Sequence, residues 1–386
     1  MTEEIRDVAV VGAGPAGLVA ALLARQHGAS VVLVAPKAPP RDERTVAMLG
    51  QSVEILEQAG VWPALAPKSA PLRTMRIVDG TRRLIRAPLV EFHAHEIGRE
   101  AFGYNIPNVH LVAALDAAVD AAGIERVSGF AESVEPADDA VTVTTADAGS
   151  IRARLVGAAD GRRSRARDAA GLAVRSWSYP QAALVVNISH SLPHDDVSTE
   201  FHTETGPFTI VPMPGLHAAI VCVVSPAEAE RLSKLDDDAL AAEFETRSRS
   251  IIGKITLNGR RQVFPLSGQT ARHFAARRIA LIGEAAHVFP PIGAQGLNLG
   301  LRDAAAFGAV VRDHRADPGS AAALAAYDKA RAGDILSRTT AVDALNRTLL
   351  TDFLPIQALR GIGLYAIDRV PMLKRAIMHQ GLAPRL

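Results

Sequence analysis

Asp7-Val8-Ala9-Val10-Val11-Gly12-Ala13-Gly14-Pro15-Ala16-Gly17-Leu18-Val19-Ala20-Ala21-Leu22-Leu23 is the stretch whose reading decides the fold. Asp7 to Val11 is a short apolar run and reads as a buried strand. Pro15 to His27 reads as a helix that Gly28 stops, and Ser30 to Val34 as a second strand. The chain therefore opens on a βαβ unit. Gly12 permits a tight turn, Gly14 lets the backbone approach a pyrophosphate, and Gly17 lets helix and strand pack closely. Pro15 and Ala16 open the helix whose N-terminus attracts the phosphates. A glycine turn without a ligand is the plainer reading; the strand–turn–helix setting tips the balance toward a dinucleotide site. An acid that binds the adenosine ribose should follow ~20 residues on, at the end of the second strand. Val34-Ala35-Pro36 stands there instead. Asp42, Glu43 or a backbone group near Pro36 could replace it, although solvated loop charges are the commoner state of such residues.

Outward from this unit, Gln51 to Gly60 reads as a short amphipathic helix, followed by a Pro-rich stretch from Trp62 to Pro71. Arg73 to Asp79 and Leu84 to Pro88 read as strands about the turn Asp79-Gly80. Val109 to Ala122 is helical, and Val141 to Thr145 and Ile151 to Val156 return to strand. From Tyr179 to Phe264 strands dominate, broken by one charged helical stretch, Ala227 to Ser248. Arg278 to Ile282 is a further buried strand that leads through a Gly/Pro-rich loop into a helix from about Leu297 to Arg312. Ser320 onward is helical, and Asp352 to Arg385 is an apolar and basic tail.

Composition excludes several classes. At 386 residues, about 150 per domain gives two or three domains. Forty-two Lys+Arg against 41 Asp+Glu create no global field to steer a polyanion, and aromatics at 4% leave little surface for stacking bases, so nucleic acid is not expected as a partner. Cys222 is the only cysteine, which rules out an intrachain disulfide or a Cys-based metal cluster. No HExxH pattern suggests a metal and no Gly-x-Ser-x-Gly elbow suggests acyl transfer. Val8 to Ala24 is uncharged, but Glu3 and Glu4 precede it, glycines interrupt it, and it is shorter than the ~20 residues of a span. A cytoplasmic protein is the expectation.

Two more segments narrow the dinucleotide. Leu155 to Ala159 leads as a strand into Asp160-Gly161-Arg162-Arg163-Ser164, and this resembles the Asp-Gly motif of flavoprotein aromatic hydroxylases of the para-hydroxybenzoate hydroxylase type. Ile282-Gly283-Glu284-Ala285-Ala286-His287, then Pro290-Pro291-Ile292-Gly293-Ala294-Gln295-Gly296-Leu297-Asn298-Leu299-Gly300-Leu301-Arg302-Asp303, resembles that group's Gly-Asp motif. More narrowly, it is similar to the signature of the ubiquinone-biosynthesis hydroxylases of UbiH/UbiF type. Glu284 stands where Asp is usual, Pro290 where His is frequent, and Ala294 where Gly is. A loop of such small residues can lay backbone N–H groups beside a flavin ring.

The resemblance covers essentially the whole chain and implies an α/β fold: a Rossmann-like FAD-binding domain, an inserted mainly antiparallel substrate domain, and C-terminal helices. The FAD-binding domain would comprise 1–72, 101–176 and 269–325, the substrate domain 73–100 and 177–268, and the helical region 326–386. It also carries FAD contacts onto Gly12, Gly14, Pro15, Ala16, Gly17, Arg44, Asn108, Asp160, Gly161, Gly283, Glu284, Pro291, Gly293, Ala294, Gln295, Gly296, Leu297 and Asn298. For Arg44 and Asn108 the competing readings are a surface arginine and a helix N-cap.

The implied reaction is hydroxylation of an aromatic ring, in ubiquinone biosynthesis a polyprenylated phenol. NADH or NADPH serves as a transient reductant near Asp160 with Arg162 or Arg163, and O2 supplies the oxygen. The cofactor carries the difficult step and the protein places the ring and excludes water. No catalytic residue is assigned; Tyr179, His202 and His217 are open as a base, and an isolated His, His287 included, is more often structural. A hydroxylase of a soluble aromatic compound, an FAD-dependent isoprenoid reductase and a non-catalytic flavin-binding scaffold of a biosynthetic complex are the alternatives. Leu364, Ile367, Val370, Leu373 and Ile377, among Arg369, Lys374 and Arg375, suit a helix at the inner membrane surface or, equally, one packed on the domain or in a homo-oligomer.

Overall fold

The computed structural model describes residues 5–36, 42–81, 88–146, 149–290, 295–350, 365 and 369–381. β-branched and small apolar residues build a first sheet of eight strands. Its spine runs Ala275–Ala276, Ile279–Leu281, Gly149–Ala158, Arg6–Val11, Val31–Ala35, Glu125–Ser128. From Ile279–Leu281 to Glu125–Ser128 all neighbours are parallel, so both faces are buried and the strands read as continuous apolar runs. Helices Pro15–Gln26 and Gln295–Asp313 pack together on this sheet, and the N-terminal fingerprint thereby meets the third motif.

A second eight-stranded sheet has the order His287–Val288, Ile255–Ala271, Val174–His190, His217–Val224, Pro207–Met213, Val197–His202, Thr74–Asp79, Val90–His93. All its pairs are antiparallel except Val197–His202 with Thr74–Asp79. One face is sealed: Leu184, Val186, Ile188, Phe201, Phe208, Ile210, Ile220 and Cys222 pack under Leu232, Leu240 and Phe244 of two helices. The other face carries the alternate residues, of which Val185, Asn187, Thr209 and Val221 are half-buried.

Two expectations need correction. The charged stretch 227–248 is two helices, Pro226–Ser233 and Asp237–Arg247, because Ser225 and Asp236 each accept a backbone N–H and start a helix of their own. The strand that pairs with Thr74–Asp79 is Val90–His93, beyond the expected Leu84 to Pro88, of which 84–87 lie outside the described residues. Within the Pro-rich stretch Trp62–Leu65 is helical, and Ala70–Pro71 joins Gly103–Pro107 and Thr45–Leu49 in a third, three-stranded sheet.

Candidate flavin site

The carboxyl ends of three adjacent parallel strands lie level. Val11 pairs with Ala158 and Ala158 with Leu281, and the ladder continues through Ala159 N to Val11 O (2.8 Å) and Ile282 N to Ala158 O (2.8 Å). The turns at Gly12, Asp160 and Gly283 therefore leave one sheet edge side by side, where open α/β sheets take ligands. The fingerprint glycines divide as their roles require. Gly12 has φ +111°, and a Cβ there would lie 2.1 Å from Ala159 O; one at Gly17 would lie 2.1 Å from Gly12 O. One at Gly14 would meet nothing within 4 Å, and the same is true at Gly161 and Gly296.

Asp160 accepts from Ala166 N through Oδ2 (3.2 Å), while its buried Oδ1 has no partner. A buried carboxylate oxygen without a donor is costly, and a ligand hydroxyl would satisfy it. An orphaned acceptor beside open backbone fits a group that brings sugar-type hydroxyls and a pyrophosphate, and FAD is such a group. Pro15 is the first residue of its helix, Ala16 is buried, and a Cβ at Gly300 would be 3.2 Å from the Ala16 methyl, so the third motif closes tightly on the first.

Arg44 donates to both oxygens of Asp42 (Nε–Oδ1 2.8 Å, Nη2–Oδ2 2.7 Å), and Asn108 Nδ2 donates to Asp42 Oδ2 (2.8 Å). Burial would raise the Asp42 pKa, but these bonds hold it below the ordinary carboxylate value. Asp42 is thus bound and not a solvated loop charge. Pro107, not Asn108, occupies the helix N-cap position. The bond from Asp42 chiefly raises the Arg44 pKa, with a further contribution from the exposed carboxylate of Glu284. Asn298 uses its side chain within the protein: Oδ1 accepts from Leu49 N (2.9 Å) and Nδ2 donates to Ala47 O (2.8 Å). Gln295 opens the last motif's helix and Leu297 packs half-buried on the core. Pro291, Gly293 and Ala294 lie outside the described residues.

Sequence reasoning missed what lies beneath Gly283. Asp303 is fully buried and accepts from Gly283 N (2.9 Å) and from Arg331 Nε (2.6 Å), and its Oδ2 lies 2.7 Å from His287 Nε2. Tyr327 donates to Leu281 O (2.6 Å), and Asp334 pairs with Arg331 and Arg302. Burial would raise the Asp303 pKa, yet His287, Arg331 and the Gly283 N–H together bring it below its usual value. Tyr327, Arg331 and Asp334 recur at helical spacing, which was a signal of one face but not of its partner.

A family model described as FAD binding domain matches residues 6–336. The ubiquinone hydroxylase UbiL of Rhodospirillum rubrum is 31% identical, over 98% of this chain and 90% of its own length. The chain belongs to the ubiquinone-hydroxylase family of FAD-dependent monooxygenases. The 3-demethoxyubiquinol 3-hydroxylase of Escherichia coli, another relative, is 29% identical over 99% of this chain and 100% of its own. Among solved structures, p-nitrophenol 4-monooxygenase PnpA of Pseudomonas putida superposes with a TM-score of 0.82 at 19% identity, each chain covered in full. PqsL of Pseudomonas aeruginosa in complex with 2-aminobenzoylacetate gives 0.78 at 21%, over 94% of this chain and 100% of that one. At such identities the two structures speak for the fold.

In this ubiquinone-hydroxylase relative, the open face of the second sheet looks toward the flavin turns. Asn187 Nδ2 donates to Glu43 O (3.0 Å), and the Arg44 guanidinium lies 5.1 Å from the Phe264 ring centre. Phe264 stands opposite Ala183 on that face. Of the three open candidates for a base, His217 is exposed at the far end and Tyr179 OH accepts from Trp177 Nε1 (2.7 Å). His202 is buried on the open face.

Proposed function

We propose that this protein is an FAD-dependent monooxygenase that hydroxylates the ring of a prenylated phenol in ubiquinone biosynthesis. One observation carries the reading: three turns from separate parts of the chain leave one sheet edge side by side, and the second sheet turns toward them a face on which Val185 and Val221 stay partly accessible. Gly12, Gly14, Gly17, Asp160, Gly161 and Gly283 would hold the FAD, with Glu284 and Arg44 at its rim. When bound, the cofactor supplies the redox chemistry with O2. The chain's own part is to bind it through main-chain amides, keep water from the reacting edge and orient the ring. Exposed Arg162 and Arg163 beside Asp160 suit a transient NADH or NADPH.

No helix among the described residues is long and apolar enough to cross a membrane. Helix Pro371–Gly381 is fastened by Lys374 to Glu96 (2.8 Å) and by buried Met378 against Ala94 and Phe102. Val370, Met372 and Leu373 face outward beside Arg369 and Arg375, which suits contact with an anionic lipid surface where a prenyl tail would be handed over. The purified protein is expected to show an oxidised-flavin spectrum and to oxidise NADH or NADPH faster when a prenylated phenol is added, with hydroxylated phenol as product. A bound flavin that neither nicotinamide reduces would leave a scaffold and refute the enzyme.

A further inference from the structure

Four side chains form a row straight across the open face. Val185 stands opposite Val221, Val221 opposite Thr209, and Thr209 opposite Glu200, each in register on neighbouring strands. All four are half-buried, whereas Leu184, Cys222, Phe208 and Phe201 of the sealed face are fully buried. The next row runs Phe264, Ala183, Val223, Pro207, His202, Asp79. Along these two rows Val185, Val221, Ala183 and Val223 are apolar, and the rows turn polar at Thr209, Glu200 and His202; Asn187 and Gln262 are the polar residues of this face nearer Glu43 and Arg44. Glu200 Oε1 lies 2.8 Å from His202 Nε2, and Thr209 Oγ1 donates to Glu200 Oε2 at 3.4 Å. His202 is buried, whereas the Glu200 side chain keeps 23% of its surface exposed, and each of its oxygens has one protein contact and capacity for another.

A carboxylate set among apolar residues is a poor neighbour for a hydrocarbon and a strong acceptor for a hydroxyl. We propose that Glu200, held by His202 and Thr209, accepts the hydrogen bond of the phenolic ring's hydroxyl and so fixes which ring carbon faces the flavin. Glu200 touches the substrate; His202 and Thr209 are positioning residues. A hydrogen bond donated to a carboxylate also enriches the ring in electron density, as attack by an electrophilic oxygen requires. The inference rests on the hydroxylase reading and deepens it.

The test uses the FAD-loaded protein and two probes, a prenylated phenol and its methyl ether, with binding followed by the flavin absorbance change. The wild type is expected to bind the phenol on the order of 10-fold more tightly than the ether, the effect of one charge-assisted hydrogen bond. Glu200→Gln, nearly isosteric, should bring that ratio close to one and spread hydroxylation over more than one ring position. His202→Phe should do likewise, and His202→Gln, which can still donate to Glu200, should restore part of the preference. A Glu200→Gln protein with full flavin content and an unchanged ratio overturns the assignment. A wild type that binds neither probe sinks the hydroxylase reading itself, and the assignment with it.

Discussion

At the residue scale the fingerprint glycines differ in what surrounds them: Gly12 and Gly17 are required by the chain itself, whereas Gly14 faces open space at an ordinary φ. Gly14→Ala should therefore fold like the wild type, with an unchanged melting temperature, yet bind FAD roughly 10-fold or more weakly, since a methyl would hold the pyrophosphate off the backbone. Fluorescence titration of the apoprotein with FAD measures it, and unaltered affinity would contradict the site. Asp160 was found by its place in a strand–turn–helix, and the structure adds its orphaned oxygen. The missing ribose acid was visible as Val34-Ala35-Pro36. The partnership of Asp42 with Arg44 and Asn108 was not, because Asn108 is 66 positions away and only the fold joins them.

At the element scale, local signals worked where period and punctuation agreed. Helix Gln295–Asp313 and the central strands of both large sheets follow from apolar spacing, whereas Glu125–Ser128, Ala131–Pro136 and Val197–His202 carry too many polar residues to be read that way, and the break at 234–236 needed attention to Asp236 as a cap inside a charged run. The short strands Thr45–Leu49 and Ala70–Pro71 carry little signal, being fixed by Asn298 and by pairing with Gly103–Pro107. Asp303 joins a strand end, helix Gln295–Asp313 and helix Ala321–Leu350 through its bonds to Gly283, His287 and Arg331. Removing its charge leaves the buried Arg331 with Asp334 alone as counter-charge, so Asp303→Asn should lose about 3 kcal/mol of stability in denaturant unfolding. The folded Asp303 pKa is depressed, so its contribution is complete above the unfolded value, about 3.9, and is lost as pH falls through the lower folded value. Acid unfolding of Asp303→Asn should accordingly be less steep than that of the wild type. Equal slopes would show that Asp303 does not supply this term.

At the scale of the whole molecule, the order of the three motifs announced an FAD-binding chain before any contact could be named. What the sequence could not convey is convergence: which sheet face looks at the flavin turns depends on Glu43–Asn187 and Arg44–Phe264, contacts between distant segments. The apolar tail divided likewise, with Lys374 and Met378 turned inward and Val370, Met372 and Leu373 outward; Leu364 and Ile367 lie outside the described residues. If the outward face meets lipid, the protein should co-sediment with vesicles rich in anionic lipid, and a Val370→Ser, Met372→Ser double variant should lose most of that binding while keeping its flavin. Retained binding would place the lipid contact elsewhere. The central claim, that these turns and this sheet face together make a ring hydroxylase, is tested most directly with isotopically heavy dioxygen. FAD-loaded protein given NADH or NADPH and a prenylated phenol should yield a phenol carrying one heavy oxygen atom. Consumption of the nicotinamide with only hydrogen peroxide formed, at the same rate with the phenol as without it, would contradict the account.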